Sequence, residues 1–374
     1  PGDIDMGAAK DAPFEYVPAA DREVGNKTEK ISLISIIYRV APYLTQCIES
    51  LISQSYPDLE IILVVGEPPE DREKQALNGN GQDRAKGEAG DGCLKIAEYY
   101  AALDSRIKIV TCIAAGAADA RNRGLSAATG DFIAFVDGDD WAEPDMIESL
   151  HRSIKESGAD IAVCSKFSEY KDATVPDPGD GREILSPEES YRMILLGTGF
   201  FFHCWDKLFR AELFEGLLFP TDHYIEDRYI VGELIYRARN IVYDRKPLYH
   251  FRVRSDSLSR AAGISEMNLE ADELFTEKAV KRFPALKQEC EAFLLYDHIT
   301  CIQNKLLKHD FSKKDIEAHV RYVREHKAGM KDNPYINRNT RIKAFLSLHF
   351  LTGLKLITER GRHRQETEHE KYSI

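Results

Sequence analysis

The stretch Ala117–Trp141, AADARNRGLSAATGDFIAFVDGDDW, decides the fold. Its first half, DARNRGLSAA, has the small and long-chain residues of a helix, and Gly130 then interrupts it. The second half opens on DFIAFV, Asp131–Val136, a short run of aromatic and β-branched residues that predicts a buried strand. Where that run stops, Asp137, Asp139 and Asp140 follow in close succession around Gly138. A helix, a buried strand and an acidic turn in that order predict one repeat of an α/β sheet. In such sheets, ligands collect beyond the carboxyl ends of the strands.

Reading outward from this stretch extends the alternation. Upstream lie the strand ISLISII (Ile31–Ile37) and a helical segment, Tyr43–Ser53, with Leu44, Cys47, Ile48 and Leu51 at helical spacing. The strand EIILVV (Glu60–Val65), a helix over Leu94–Leu103 and the strand IKIV (Ile107–Val110) complete the series. The polar stretch Gly66–Gly92 predicts a long surface loop. Downstream, EPDMIESLHRSIKESG predicts a helix with Pro144 at its start. The β-α-β-α-β-α-β order predicts a Rossmann-like, mainly parallel sheet flanked by helices. Residues 1–29 read as a polar, mobile tail, residues 30–260 as the α/β domain, and residues 261–374 as a helical C-terminal extension.

Composition excludes several classes. A net charge of −12 argues against nonspecific nucleic-acid binding, and 43% hydrophobic residues suit a packed globular chain. The seven cysteines, Cys47, Cys93, Cys112, Cys164, Cys204, Cys290 and Cys301, have no zinc-type spacing and predict reduced, mostly buried thiols in a cytoplasmic protein. No segment reads as a secretion signal or a membrane span.

Carboxylates spaced as in Asp137 and Asp139 suit hard divalent cations such as Mn²⁺ or Mg²⁺, which bind diphosphate and help it leave. Alone, the motif also describes a solvated acidic turn. It is accompanied, however, by KISLISIIYRVAPYLTQCIESLISQSYPDLEIILVV upstream, and by WDKLFRAELFEGLLFPTDHYIEDRYI and PLYHFRVRSDSLS downstream. These stretches, in this order over roughly Lys30–Arg260, resemble the family 2 glycosyltransferases of the GT-A fold. The resemblance implies an inverting enzyme that moves a sugar from a nucleotide-sugar donor, a UDP-sugar by family habit, to a hydroxyl of a saccharide or lipid-linked acceptor. Surface polysaccharide or glycoconjugate synthesis is the implied setting.

By the same resemblance Asp137 and Gly138 meet the donor, Asp139 and Asp137 ligate the metal, and His250 is a further metal or diphosphate contact or an ordinary half-buried histidine. Arg121 sits near a helix start, where cations and backbone N–H groups favour phosphate. Arg252, Arg254 and Ser257 offer donors suited to a diphosphate. Asp227 is the candidate base, with Glu226 beside it, and Trp205 and Lys207 line the acceptor site or, for Trp205, the core. Two departures stand out. The family's Pro-x-Tyr-Asn is Ile36, Ile37, Tyr38 and Arg39 here, and its uracil-reading aspartate is Val65. Base recognition then falls to Glu67, to Arg39 or to backbone groups, with Ile36 and Tyr38 alongside, or the donor is not a uridine nucleotide, or donor binding has been lost. The altered turn also leaves open a catalytically weak subunit that positions a partner transferase. Homo-oligomers are a further expectation.

Seven Lys or Arg against one acidic residue, Glu359, fall between Arg338 and Arg364. In IKAFLSLHFLTGLKLI, the residues Ile342, Phe345, Leu346, Phe350, Leu354 and Ile357 predict one broad apolar helix face. Flanked by those cations, it suits the inner face of an anionic membrane, and a helix packed on the catalytic domain is the alternative.

Overall fold

The computed structural model describes residues 29–67, 92–113, 116–223, 225–254, 264–308 and 311–370. Along the chain these form β1 (Ile31–Ile37), α1 (Ala41–Ile52), β2 (Leu59–Glu67), α2 (Cys93–Leu103), β3 (Ile107–Ile113), α3 (Ala117–Ala127) and β4 (Phe132–Asp137). There follow β5 (Trp141–Ala142), α4 (Met146–Ser157), β6 (Ile161–Glu169), β7 (Thr174–Pro176), β8 (Arg182–Leu185), α5 (Pro187–Leu196) and β9 (Lys207–Arg210). Then come α6 (Glu226–Arg237), β10 (Ile241–Arg252), α7 (Ile264–Arg282), α8 (Lys287–Leu306), α9 (Glu317–Glu325), α10 (Arg338–His349) and α11 (Leu351–Glu370). The helix expected from Glu143 starts later, at Met146, two residues past Pro144. Residues 68–91 of the expected loop lie outside the described residues.

Among the described residues the sheet runs β3-β2-β1-β4-β9-β6-β10-β5, with β8 on β10. The β3-β2-β1-β4 half is parallel, as the alternation with helices requires, because a parallel crossover needs a connecting element. From β4 onward β9 pairs antiparallel with both β4 and β6, so the sheet is mixed. The fit of α3 to the sheet depends on Gly124: a Cβ there would lie 2.4 Å from Ile34 Cγ2. Its absence lets the helix lie close over β1 and β2.

The chain divides into two compact units. The first holds the sheet, and its core joins Leu33, Ile61, Leu63, Phe132 and Val136 to Leu44, Ile48 and Leu51 of α1. All seven cysteines are free and buried. The second unit takes Val253–Ile374 together with Glu169–Val175 and Glu188–Phe201. There Tyr191 of α5 stacks on Phe275 of α7 at 4.7 Å, and a separate core gathers Leu295, Ile299, Ile302, Val323, Ala344 and Leu354. The single apolar face expected at the C-terminal end is corrected. Phe350 leaves the helical region with φ −143° and divides the segment into α10 and α11. Leu354 is fully buried and Leu346 packs on the same core, whereas Ile342, Phe345, Phe350 and Ile357 remain exposed.

Candidate active site

The parallel register sets Ile36 of β1 beside Asp137 of β4, so both strands end at one level. Gly138 turns the chain there and donates its N–H to Ile36 O at 3.1 Å. A Cβ on Gly138 would lie 2.8 Å from that same carbonyl, so the glycine is required by space between strands. Asp140 is buried and serves the frame: Tyr249 Oη donates to one carboxylate oxygen at 2.8 Å and Arg252 N to the other at 2.7 Å. The Asp137 N–H in turn donates to Tyr249 Oη at 3.2 Å. The acidic turn is thus bolted to β10.

Arg121 of α3 is buried, and its guanidinium pairs with Asp137 Oδ1 at 3.2 Å and with Glu226, itself buried at the first turn of α6. One cation therefore joins the end of β4 to the start of the helix that carries Asp227. Burial raises the Asp137 carboxyl, Arg121 opposes this, and the charges of Asp139 and Asp227 add to it, leaving it at about 6. The neighbouring Asn122 makes a reciprocal pair with Phe219, its amide donating to Phe219 O at 2.8 Å and accepting from Phe219 N at 2.8 Å. That pair anchors the segment leading into α6. Asp227 is partly exposed and accepts from Arg228 N at 3.0 Å. Two carboxylates in the first turn also suit the positive end of the helix.

Other expected site residues fall elsewhere. Lys207 is fully buried and donates to Asp206 Oδ1 at 2.6 Å and His203 O at 2.7 Å. An ammonium committed in this way neutralises a buried carboxylate, so its expected place in an acceptor site is corrected. Trp205 is 4% exposed and stacks on Tyr249 at 4.4 Å, which assigns it to the core. The ring of His250 lies between Trp141 at 4.8 Å and Phe167 at 4.5 Å, with Nε2 at 2.8 Å from Glu143 Oε1. Among the described residues no three His, Cys, Asp or Glu side chains converge to hold a metal, so Asp137, Asp139 and His250 do not form a three-ligand set.

Arg252 embraces the acidic turn, its Nε donating to Asp139 O at 2.8 Å and one terminal nitrogen to Gln46 Oε1 at 2.8 Å. Its guanidinium also lies over Trp141 at 4.6 Å and Tyr43 at 4.7 Å. Arg254 follows at the start of the second unit, and Ser257 lies outside the described residues. Val65 is 1% exposed, inside β2, between Ile37 and Thr111. The Glu67 side chain lies outside the described residues. Tyr38 and Arg39 stand exposed past β1, the guanidinium 5.2 Å over the ring. Arg39 has φ 55°, a left-handed conformation uncommon outside glycine.

Tyr249, Asn122 and Glu143 went unread in the sequence. Asn122 adjoins Arg121, and Tyr249 precedes His250 on a strand whose alternate side chains face opposite ways, so both lay inside the quoted stretches, one residue from a side chain that was singled out.

Residues 87–218 match the sequence profile of the family described as "Glycosyl transferase family 2". EpsH of Bacillus subtilis (strain 168), which carries a glycosyltransferase name, is 30% identical over 239 residues, 62% of this chain and 63% of that protein. Glycosyltransferase GlyA of Streptococcus pneumoniae serotype 4 is 31% identical over 247 residues, 62% of this chain but 32% of GlyA. The chain thus spans less than two thirds of the length of either relative. Among solved structures, S. aureus TarS 1-349 in complex with UDP-GlcNAc superposes with a TM-score of 0.59 at 19% identity, over 90% of this chain and 92% of that one. That likeness concerns the fold.

Proposed function

We propose that the chain is a family 2 glycosyltransferase of the GT-A fold, and that it transfers a sugar from a nucleotide-sugar donor to an acceptor hydroxyl by direct, inverting displacement. The observation that carries this reading is the Arg121 bridge. A buried guanidinium ties Asp137, at the ligand edge of the sheet, to Glu226, whose neighbour Asp227 is the base. Rigid support of this kind favours reaction by holding the groups in place before the substrates arrive.

In the proposed step the acceptor oxygen attacks the anomeric carbon while Asp227 takes its proton. The bond from that carbon to the phosphate oxygen breaks, and the nucleoside diphosphate leaves with the bonding pair. Glu226 orients Arg121 and the first turn of α6. Asp139 and Asp137 suit a divalent cation, Mn²⁺ or Mg²⁺, because their carboxylates gather negative charge that Arg121 offsets only in part. Such ions commonly take one or two carboxylates and complete their shell with phosphate oxygens, so this use does not require the three-residue cage that is missing among the described residues. When bound, the cation would offset the charge that develops on the departing diphosphate. Since Val65 is buried, base recognition falls to Tyr38, Arg39 and backbone groups at the end of β1. Because TarS was solved with UDP-GlcNAc, UDP-sugars are the first donors to test. Synthesis of a surface polysaccharide or glycoconjugate remains the proposed setting.

The test pairs a transfer assay with nucleotide calorimetry. Asp227→Asn should keep donor affinity and lose on the order of 10² to 10⁴ in rate, the usual worth of a general base. Near-normal transfer by this variant would place the base elsewhere. The absence of any nucleotide-sugar turnover by the wild-type chain would favour a catalytically weak subunit instead.

A further inference from the structure

α10 and α11 each have one face in the core of the helical unit. On α10 the buried positions are Thr340, Ala344 and Ser347, spaced by four and three residues. Helical geometry therefore turns Arg338, Arg341, Ile342, Phe345 and His349 to the opposite side. Among them Ile342 is 43% and Phe345 52% exposed. Phe350, at the junction of the helices, is 60% exposed and its ring lies 6.1 Å from that of Phe345. On α11, with Leu354 in the core, Leu356 points away at 53% exposure, while Ile357, three residues past Leu354, flanks the core side. A cluster of large apolar side chains facing water marks an interaction surface.

The charge around this cluster identifies its partner. Arg338, Arg341, Lys355 and Arg360 are exposed on the same two helices, in a chain of net charge −12. Between Arg338 and Arg364 the one acidic residue is Glu359, 4.0 Å from Lys355, and Glu366, Glu368 and Glu370 follow only at the far end of α11. A second copy of the chain, docked by two-fold symmetry, would set these cations against themselves. We propose that the outward faces of α10 and α11 seat on an anionic lipid surface. Phe345, Phe350 and Leu356 enter the headgroup boundary, and the arginines and lysine reach the lipid phosphates. Attachment is to the surface alone, since among the described residues no helix is long and apolar enough to cross a membrane.

The full chain should co-sediment with vesicles of phosphatidylcholine plus phosphatidylglycerol and not with phosphatidylcholine alone. Each cation near such a surface adds to the attraction, so Arg338→Glu with Arg360→Glu should weaken binding by about tenfold or more. Phe345→Ser with Phe350→Ser should weaken it comparably. All four positions are exposed, and unchanged circular dichroism and melting would show that the variants fold. Three results would overturn the proposal: no pelleting with anionic vesicles, pelleting indifferent to these substitutions, or a dimer by light scattering that the phenylalanine changes dissolve.

Discussion

Replacing Asp139 with Asn removes one negative charge and a hard ligand while keeping shape. If Asp139 helps to hold the cation, metal-dependent donor binding should fall by at least the roughly 10–100-fold that outer partners of a metal site are worth. Calorimetry with and without Mn²⁺ reads this directly, and equal affinities for wild type and variant would remove Asp139 from the metal's shell. Glu226→Gln bears on a different group. Its partner Arg121 is buried, so loss of the charge leaves a guanidinium short of one counterion. The expected signature is a lower melting temperature together with a smaller loss of transfer than Asp227→Asn. Equal catalytic losses would mean that the two carboxylates act as a unit.

At the scale of elements, the amino ends of the strands are tied by one buried carboxylate, far along the chain from the acidic turn. Glu60 of β2 accepts from Ser32 Oγ of β1, from Lys108 Nζ of β3 and from Thr129 N, each at 2.5 Å. Burial pushes its carboxyl up, but the bonds from Lys108, Ser32 and Thr129 outweigh this and hold it at about 2. A carboxyl depressed on folding stabilises the native state above its unfolded pKa, near 4.5, and that gain is lost as pH falls toward 2. Glu60→Gln should therefore cost roughly 2–3 kcal/mol at neutral pH and flatten the acid limb between about pH 5 and 2. Urea titrations across that range provide the check, and an unchanged acid limb would show that the network contributes nothing net.

At the scale of the molecule, two cores imply two sources of stability. Leu354→Ala empties a fully buried site in the helical unit and should destabilise that unit by roughly 2–5 kcal/mol. Calorimetry should find the loss in the transition of that unit, with nucleotide affinity preserved below it. A matching loss of nucleotide affinity would show that the donor site depends on the helical core.

The four parallel strands and the acidic turn at their carboxyl edge were legible in the sequence, because β1, β2 and β4 are buried on both faces and so read as largely apolar runs, and the edge strand β3 still carries β-branched residues. β1 was read to the residue, and β2 through β4 to within three at each end. What the tertiary structure alone decided is which charged side chain meets which. Asp139 and Asp140 are adjacent and chemically identical, yet Asp140 is consumed by Tyr249 and Arg252 from a strand more than a hundred residues away. Lys207 and Arg121 are both basic and both buried, but one answers Asp206 next to it and the other joins Asp137 to Glu226 across the fold. Local pattern records how much water a segment excludes. Partnership between charges depends on where the strands and helices bring distant residues together, and that is set by the packing of the whole sheet.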